Sequence, residues 1–380
     1  MRFPEFSGEW EKCKFGDIAT GFDYGMNAAA KPFDGENKYI RITDIDEASS
    51  TYNDTDIVSP DGSLTDNYVV NDRDILLART GASTGKSYLY RKSDGKLYYA
   101  GFLIRANVTE HNPYFVFSQL HTHRYWRWVS IMSARSGQPG INSQEYSSFP
   151  IFTTSLHEEN KIASLLSRLD ERIATQNKII EDLKKLKSAI VDRLYSSTNG
   201  ETYSFCQLFE VVNEKNKKLD YRNVLSASQE LGMIERSDIN IDIKFEQESI
   251  SGYKIVRKGD YVVHLRSFQG GFAFSDRTGI CSPAYTILRP NDLVEYGYLS
   301  HFFTSKLFIK SLKLVTYGIR DGRSINVDEW LNMTVTLPNI QEQVRILTII
   351  NAIDAKLHIE IKKQSCLFRQ KSYLLNTMFI

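Results

Sequence analysis

Residues 79–87 read RTGASTGKS, and the G-K-S at the end of this stretch resembles the end of a phosphate-binding loop. Such a loop needs the spacing G-x-x-x-x-G-K-[ST], in which backbone N–H groups and the lysine hold nucleotide phosphates. Here the position that requires glycine is Thr80, and Gly81 comes one residue late. The segment that follows Lys86 is strand-like, so no helix N-terminus is expected to face a phosphate. The stretch favours a turn between strands, and a nucleotide hydrolase stays an alternative.

Two other patterns approach catalytic motifs without completing them. HNPYF at 111–115 is similar to the N-P-P-[YF] loop of adenine methyltransferases but lacks the second proline, and Pro113 is better explained as the first residue of a helix. Carboxylates at Asp61 and Asp94 loosely resemble a nuclease set, but the second half of the chain has no counterpart. The seven histidines do not cluster, and the four cysteines form no C-x-x-C pair. The sequence therefore predicts no catalytic residue, no metal site and no cofactor held by this chain.

The composition is that of an ordinary globular protein with almost no net charge. The 380 residues carry 47 Lys+Arg and 46 Asp+Glu, which gives a formal net charge of +1. No apolar run approaches the roughly 20 residues of a membrane span, and the N-terminus lacks the apolar region of a signal peptide. Widely spaced cysteines are typical of reduced thiols, so we expect a cytoplasmic protein. If the chain binds nucleic acid, the positive charge must be local or a partner must supply part of it.

The chain contains a long internal repeat. Residues 141–195 align without a gap on residues 325–379 at an offset of 184, so that Glu158 corresponds to Glu342 and Asp170 to Asp354. Upstream, CKFGDI (13–18) resembles CQLFEV (206–211), and RDILLAR (73–79) resembles GDYVVHL (259–265). Each half therefore has a variable domain of about 140–150 residues and a more constant tail.

Both tails predict long helices. From Leu156 to Tyr195 there is no proline or glycine, and apolar residues recur at alternating steps of four and three, which is a heptad rhythm. The second tail repeats the rhythm, and the polar positions Gln176 and Lys187 correspond to Glu360 and Lys371. About 35 residues would span roughly 50 Å. Two such helices in one chain can bury each other's apolar stripe if they lie antiparallel.

The variable domains combine strands with helical segments. Strand-like runs at 38–46, 74–80, 86–92 and 96–108 precede a predicted helix at 112–132. Runs at 254–266, 270–276 and 282–290 precede a predicted helix at 298–315. Each domain ends in a polar loop rich in Gly, Arg, Ser, Gln and Asn, at 133–145 and 316–329. Such side chains on a glycine-containing backbone can read base edges and phosphates.

This order of elements resembles the specificity subunit of a type I restriction-modification system. The matching stretches are EFSGEWEKCKFGDIA, DILLARTGASTGKSYLY, SGQPGINSQEYSSFPI and the long helix that begins HEENKIASLL, and the resemblance covers essentially the whole chain. It implies an α+β fold in which two mixed α/β target-recognition domains are separated by two long antiparallel coiled-coil helices, with an internal pseudo-two-fold repeat. The expected domains are 1–155 and 199–339 for recognition, with long helices at 156–198 and 340–380.

The resemblance also implies the function and the partners. The chain would be a non-catalytic subunit in which each recognition domain reads one half of a bipartite site in double-stranded DNA. The helices would set the spacer and dock two modification subunits, which carry S-adenosylmethionine and methylate adenine. Restriction subunits would add ATP- and Mg-dependent translocation and cleavage. The alternative is a coiled-coil scaffold that presents two domains for ligands other than DNA.

Polar residues near strand ends and in the pre-helix loops are the predicted DNA contacts. In the first domain they are Arg79, Thr80, Ser83, Thr84, Lys86, Arg105, Arg135, Ser136, Gln138 and Asn142. In the second domain they are His264, Arg266, Ser267, Gln269, Arg320, Arg323, Ser324 and Asn326.

Overall fold

The chain packs into two compact units, of which the first is discontinuous in sequence and the second is continuous. The computed structural model describes residues 2–134, 139–228, 231–236, 247–264, 271–317 and 324–379. Unit 1 comprises Met1–Lys178 with Ile361–Ile380, and unit 2 comprises Ile179–Glu360. The sequence predicts four consecutive segments, with each long helix as a segment of its own. In the structure each long helix is instead divided between the two units. No helix in these ranges is long and apolar enough to cross a membrane.

The first recognition region belongs to unit 1 and is built from short strands and helices. Its strands are β1 (Glu11–Lys14), β2 (Ala19–Tyr24), β3 (Ala29–Pro32), β4 (Lys38–Ile40), β5 (Val58–Asp61), β6 (Asp74–Ala78), β7 (Ser87–Leu89), β8 (Leu97–Tyr99), β9 (Leu103–Val108) and β10 (Pro150–Thr153). Its helices are α1 (Phe15–Ile18), α2 (Pro113–Gln119), α3 (His123–Ser133) and α4 (Ser143–Ser147), and the long helix α5 (Leu156–Ser196) follows.

The second recognition region belongs to unit 2. Its strands are β11 (Glu201–Ser204), β12 (Phe209–Val212), β13 (Leu225–Ser228), β14 (Gly232–Glu235), β15 (Lys254–Val256), β16 (Tyr261–Val263), β17 (Phe272–Phe274), β18 (Gly279–Cys281), β19 (Thr286–Pro290), β20 (Thr316–Tyr317), β21 (Ser324–Ile325) and β22 (Thr334–Leu337). Its helices are α6 (Phe205–Leu208), α7 (Tyr298–Phe302), α8 (Lys306–Leu312) and α9 (Val327–Leu331), followed by the long helix α10 (Ile340–Met378).

The internal repeat appears as the same sheet in both units. Unit 1 has a four-stranded sheet in the order β2-β9-β6-β7, and unit 2 has one in the order β12-β19-β16-β17. In each unit a further antiparallel pair, β1-β10 or β11-β22, joins the start of the recognition region to its end. The repeat predicted from sequence is therefore confirmed at the level of topology.

A buried aspartate fixes the same turn in both sheets. The backbone N–H of Asn71 donates to Asp74 at 2.6 Å, and that of Arg257 donates to Asp260 at 2.8 Å. The turn needs a left-handed residue, which is Gly259 at φ +98° in unit 2 but Arg73 at φ +69° in unit 1. The Arg73 guanidinium offsets this strain by donating to the carbonyls of Val108 and Thr109 at 2.6 Å each.

Several elements predicted as continuous are interrupted. In unit 2 the run 254–266 divides into β15 and β16, and the predicted helix at 298–315 divides into α7 and α8. Unit 1 shows the same kind of break. The run 96–108 divides into β8 and β9, because the N–H of Leu103 turns back to the carbonyl of Ala100 at 2.8 Å. The predicted helix at 112–132 divides into α2 and α3, and the Thr122 side chain caps α3 by accepting from the N–H of Tyr125 at 3.3 Å. Asn112 caps α2 with Pro113 at its first turn, as expected for HNPYF.

The long helices pair through their predicted heptad positions. In unit 1 they bury Ile162, Leu166, Leu169 and Ile173 of α5. Lys371 contacts Asp170 at 2.6 Å, and Gln364 donates to Asn177 at 2.7 Å, so a seven-residue rise on α5 matches a seven-residue fall on α10. This register is antiparallel.

Unit 2 repeats the same pairing. Lys187 contacts Asp354 at 2.5 Å, and Val191 and Tyr195 share a core with Ile350 and Ile346. The predicted antiparallel coiled coil is confirmed within each unit.

Candidate nucleic-acid interface

In unit 1 the turn at 79–87 and the pre-helix loop form one surface. Thr80 makes an isolated β-bridge with Gly140, and the N–H of Gly81 donates to the carbonyl of Pro139 at 3.1 Å. The N–H of Ile141 donates to the carbonyl of Arg79 at 2.9 Å. Two stretches that the sequence places about 60 residues apart therefore meet through their backbones.

The G-K-S stretch is a turn between strands, as predicted. Residues Gly81–Ser83 form a single 3-10 turn, the Thr84 hydroxyl donates to the carbonyl of Gly81 at 2.8 Å, and strand β7 follows. Gly85 has φ +92°, and a Cβ there would lie 2.8 Å from a methyl carbon of Val129 on α3. The glycine therefore permits close packing against α3, and no helix start is available to bind a phosphate.

Arg79 belongs to this surface and directly follows β6. Its guanidinium carbon stands 4.6 Å from the ring centroid of Tyr24, which is a cation–π contact. The Tyr24 hydroxyl accepts from the N–H of Ser143, the first residue of α4, at 3.3 Å. Hydrogen bonding from Ser143 opposes the effect of burial and, with the Arg79 charge, lowers the pKa of Tyr24.

A cavity of about 540 Å³ opens beside Arg79. It is also lined by Tyr24, Arg41 and Phe102, and the Phe102 side chain is 58% exposed at the turn between β8 and β9. The N–H of Arg79 donates to the carbonyl of Phe102 at 3.0 Å, which fixes the position of this turn relative to β6. The surface thus combines planar and apolar groups with a cation.

Other predicted contacts of unit 1 are engaged within the protein. The Lys86 ammonium lies 3.3 Å from the carboxylate of Glu47. Arg105 donates to the carbonyls of Asn67 and Val69 at 3.1 and 3.2 Å and pairs with Asp23 at 3.3 Å. The Thr84 side chain is buried. Ser83 lies in the 3-10 turn, where its carbonyl accepts from the N–H of Lys86 at 3.0 Å.

The two asparagines predicted at equivalent places in the halves both cap helices. Asn142 caps α4 and accepts from the N–H of Glu145 at 2.9 Å. Asn326 caps α9 and accepts from the N–H of Asp328 at 3.2 Å. Each oxygen is used by a helix N-terminus, so in Asn142 the amide NH2 is the group that remains for a base. The amide NH2 of Asn326 donates to the carboxylate of Glu329 at 2.8 Å.

In unit 2 the corresponding surface carries different groups. His264 follows β16, and its ring stands edge-on to Tyr285 at 5.2 Å between centroids. Ser324 lies in β21, which pairs with β20. The remaining predicted contacts, namely Arg135, Ser136, Gln138, Arg266, Ser267, Gln269, Arg320 and Arg323, lie outside the described residues, and all the site residues named above stay predictions.

Sequence reasoning missed Tyr24 and Phe102. Tyr24 ends a strand whose partners are distant in sequence, and only the following Gly25 indicated a turn there. Phe102 stood inside a run interpreted as one strand, although Gly101 marked a possible break. In the described ranges, no three His, Cys, Asp or Glu side chains are grouped so as to hold a metal ion.

Comparisons with known proteins agree on one family. The profile of the type I restriction modification DNA specificity domain matches twice, at residues 7–185 and 200–366. The type I restriction enzyme MjaVIII specificity subunit of Methanocaldococcus jannaschii is 22% identical over 413 residues, covering 100% of this chain and 93% of that protein. The putative MjaX specificity subunit of the same organism is 22% identical over 303 residues, covering 73% of this chain and 69% of that protein.

Two solved structures share the fold. The S subunit of a type I restriction-modification system from M. genitalium has a TM-score of 0.57 at 15% identity, covering 98% of this chain and 96% of that one. A chain from a study of assembly and conformational transition in the type I R-M system has a TM-score of 0.59 at 15% identity, covering 96% of both chains.

The matches give no support to a scaffold for ligands other than DNA. They cover both recognition regions and most of both long helices, which are also the parts that the structure repeats. The chain belongs to the type I restriction-modification DNA specificity family.

Proposed function

We propose that this chain is the DNA-reading specificity subunit of a type I restriction-modification complex, and that each unit reads one half of a bipartite site. The observation that carries the proposal is the doubled reader, since the four-stranded sheet, the closing strand pair and the family profile each occur twice. Repeated readers on one chain suit half-sites about one helical turn, roughly 34 Å, apart.

The long helices are the spacer and the docking surface in this proposal. Helix α5 contains 41 residues. At 1.5 Å per residue a helix of that length extends about 60 Å, which exceeds one turn of DNA. Both helices also expose large apolar side chains, including Leu186 on α5 and Tyr373 on α10, which two modification subunits would cover.

Catalysis belongs to the partners in this proposal. Modification subunits that bind S-adenosylmethionine would methylate adenine, and restriction subunits would use ATP and Mg for translocation and cleavage. With a net charge of +1, the chain would depend on these partners for most contacts with DNA phosphates. We therefore expect the isolated chain to bind DNA weakly at physiological salt.

Methylome sequencing of cells that express the chain with its modification subunit tests the proposal. A split motif with methylated adenines is the expected result. Replacing residues 1–150 with the corresponding region of a relative should change one half of the motif and leave the other half and the spacer intact. A swap that changed both halves, or neither, would contradict the assignment of one half-site to each unit.

A further inference from the structure

Arg79 differs from the other arginines around it in having no acidic partner. Arg41 pairs with Asp44 at 2.8 Å, and Arg105 pairs with Asp23 at 3.3 Å. Within the described ranges, no carboxylate lies within ion-pair distance of Arg79, whose guanidinium contacts the Tyr24 ring instead. Its N–H groups therefore keep their capacity to bind an acceptor outside the chain.

The Arg79 side chain is nonetheless held in place. Its backbone is fixed on both sides, since its N–H donates to Phe102 and its carbonyl accepts from Ile141, at 3.0 and 2.9 Å. Tyr24 supports the guanidinium from one face and is itself tied to α4 through Ser143. A planar fork that is already oriented loses little conformational freedom when it binds.

The surroundings of Arg79 favour a base edge over a phosphate. A phosphate contact requires only positive charge, and polar groups usually surround it. Here the neighbour is Phe102, an exposed aromatic ring on a turn fixed by backbone hydrogen bonds, beside a cavity that Arg79 itself lines. In the major groove, the O6 and N7 of guanine accept two hydrogen bonds from one arginine, and an apolar side chain can contact a thymine methyl group.

We infer that Arg79 reads a guanine in the half-site of unit 1, that Tyr24 is the positioning residue for its guanidinium, and that Phe102 makes the adjoining apolar contact. This inference rests on the proposed function and deepens it by assigning a base to a residue. The inference concerns the half-site of unit 1 only. In unit 2 the residue that follows β16 is His264, whose ring contacts that of Tyr285.

Arg79→Lys tests the inference in the assembled methyltransferase, because it keeps the charge and removes the fork. Methylation is measured on oligonucleotides that carry each of the four bases at every position of the first half-site. The wild type should prefer guanine at one position, and Arg79→Lys should reduce that preference by about 5- to 150-fold, the range that one bidentate pair supports. Arg91→Lys is the matched control, since Arg91 is exposed just beyond β7, near the Asp74 end of β6.

Tyr24 variants separate positioning from general stability. Tyr24→Phe retains the ring under the guanidinium and should retain the guanine preference, whereas Tyr24→Ala should weaken it at the same position. The unit 2 half of the motif should be unchanged in both variants. A loss of methylation that is uniform across all bases would show a structural role and overturn the inference.

The outcomes distinguish this inference from the proposed function. If the wild-type complex yields no split methylated motif, the proposed function itself fails. If the motif exists but Arg79→Lys leaves its base preferences unchanged and only alters the dependence of binding on salt, Arg79 contacts a phosphate and the guanine assignment is wrong.

Discussion

At the scale of single residues, the two halves of the repeat use equivalent positions differently. Glu158 is buried, and it accepts from Arg2 at 2.6 Å and from the Thr154 hydroxyl at 2.7 Å. Burial alone would raise the pKa of Glu158, but these bonds outweigh it and lower the pKa. Its counterpart Glu342 is half-exposed and pairs with Arg345 on the same helix turn. The repeat therefore conserves a carboxylate while its environment changes.

Glu158→Gln should destabilise unit 1 by about 1–3 kcal/mol, because a neutral amide leaves charge-assisted hydrogen bonds unmade in a buried position. Glu342→Gln is the matched control, and it should leave the unfolding midpoint of unit 2 essentially unchanged because both partners are solvated. Urea unfolding followed by hydrogen exchange in each unit gives both values. Equal effects of the two substitutions would contradict the difference in environment.

Acid should destabilise both units through one histidine in each. Burial lowers the pKa of His121 to about 4, aided by the charge of Lys371, and burial with Lys187 does the same to His301. The unfolded chain, in which histidine titrates near pH 6.5, therefore binds more protons than the folded chain between about pH 6.5 and 4. Stability should fall as the pH falls through this window.

His121→Gln tests the origin of this dependence. His121 bonds to the carbonyl of Phe117 and to the Ser50 hydroxyl at 2.9 Å each, so the neutral ring is the form that the fold holds. The substitution should flatten the pH dependence of unit 1 while unit 2, with His301, keeps its own. The measurement is the urea midpoint of each unit from pH 4 to 7, and an unaltered slope in unit 1 would exclude His121 as its cause.

At the scale of elements, the glycines of the turn at 79–87 have separable roles. Gly81 has φ +67° and no atom within 4 Å of a built Cβ, whereas at Gly85 a Cβ would press against Val129 and Trp126. Gly81→Ala should cost about 1–2 kcal/mol from backbone strain alone. Gly85→Ala should destabilise unit 1 more than Gly81→Ala, because a clash with α3 adds to the same backbone strain. Thermal unfolding of the two variants measures the difference in stability. A smaller effect at Gly85 would mean that α3 moves aside freely.

The helix pair offers a charge-reversal test with an internal comparison. Lys187→Asp should lower the stability of unit 2 by up to about 1 kcal/mol by facing two carboxylates, and adding Asp354→Lys should restore it. The equivalent reversal of Asp170 and Lys371 should restore the stability of unit 1 less completely. The Tyr114 hydroxyl also donates to Asp170, and this hydrogen bond is lost when Asp170 is replaced. Double-mutant cycles in urea measure both coupling energies. Equal restoration in the two units would remove the role assigned to Tyr114.

At the scale of the whole molecule, the repeat, the fold class and the long helices could be predicted from sequence. Heptad spacing is a local signal, and it located the helices and most of their buried positions. The breaks at Gly101 and Leu120 were not predicted, because they depend on contacts with Gly25 and the α3 cap rather than on propensity. Tyr24 was missed for the same reason, since its role arises where distant strand ends meet.

Unit 1 should also depend on residues from the far end of the chain. Phe379 is buried with its ring 5.8 Å from that of Trp10 and 5.2 Å from that of Phe115. Phe379→Ala should destabilise unit 1 by about 3 kcal/mol, the low end for a buried phenylalanine because a helix end can relax. Tyr373→Ala, at an exposed position of α10, which ends one residue before Phe379, is the control. In the Phe379→Ala variant, hydrogen exchange should become faster in unit 1 and stay unchanged in unit 2.

The discontinuity of unit 1 imposes an order on synthesis. Tyr195 is the repeat counterpart of Phe379, and it is synthesised before the sheet of unit 2. Its contact partners Tyr298 and Phe302 are synthesised later and can pack against it at once. By contrast, the apolar surface formed by Trp10 and Phe115 is synthesised long before Phe379, which packs against it. At roughly 5–20 residues per second, the translation of residues 179–360 leaves that surface uncovered by Phe379 for on the order of ten to forty seconds. Unit 1 therefore exposes this apolar surface during translation until Phe379 packs against it. We expect chaperones to bind nascent unit 1 more than nascent unit 2.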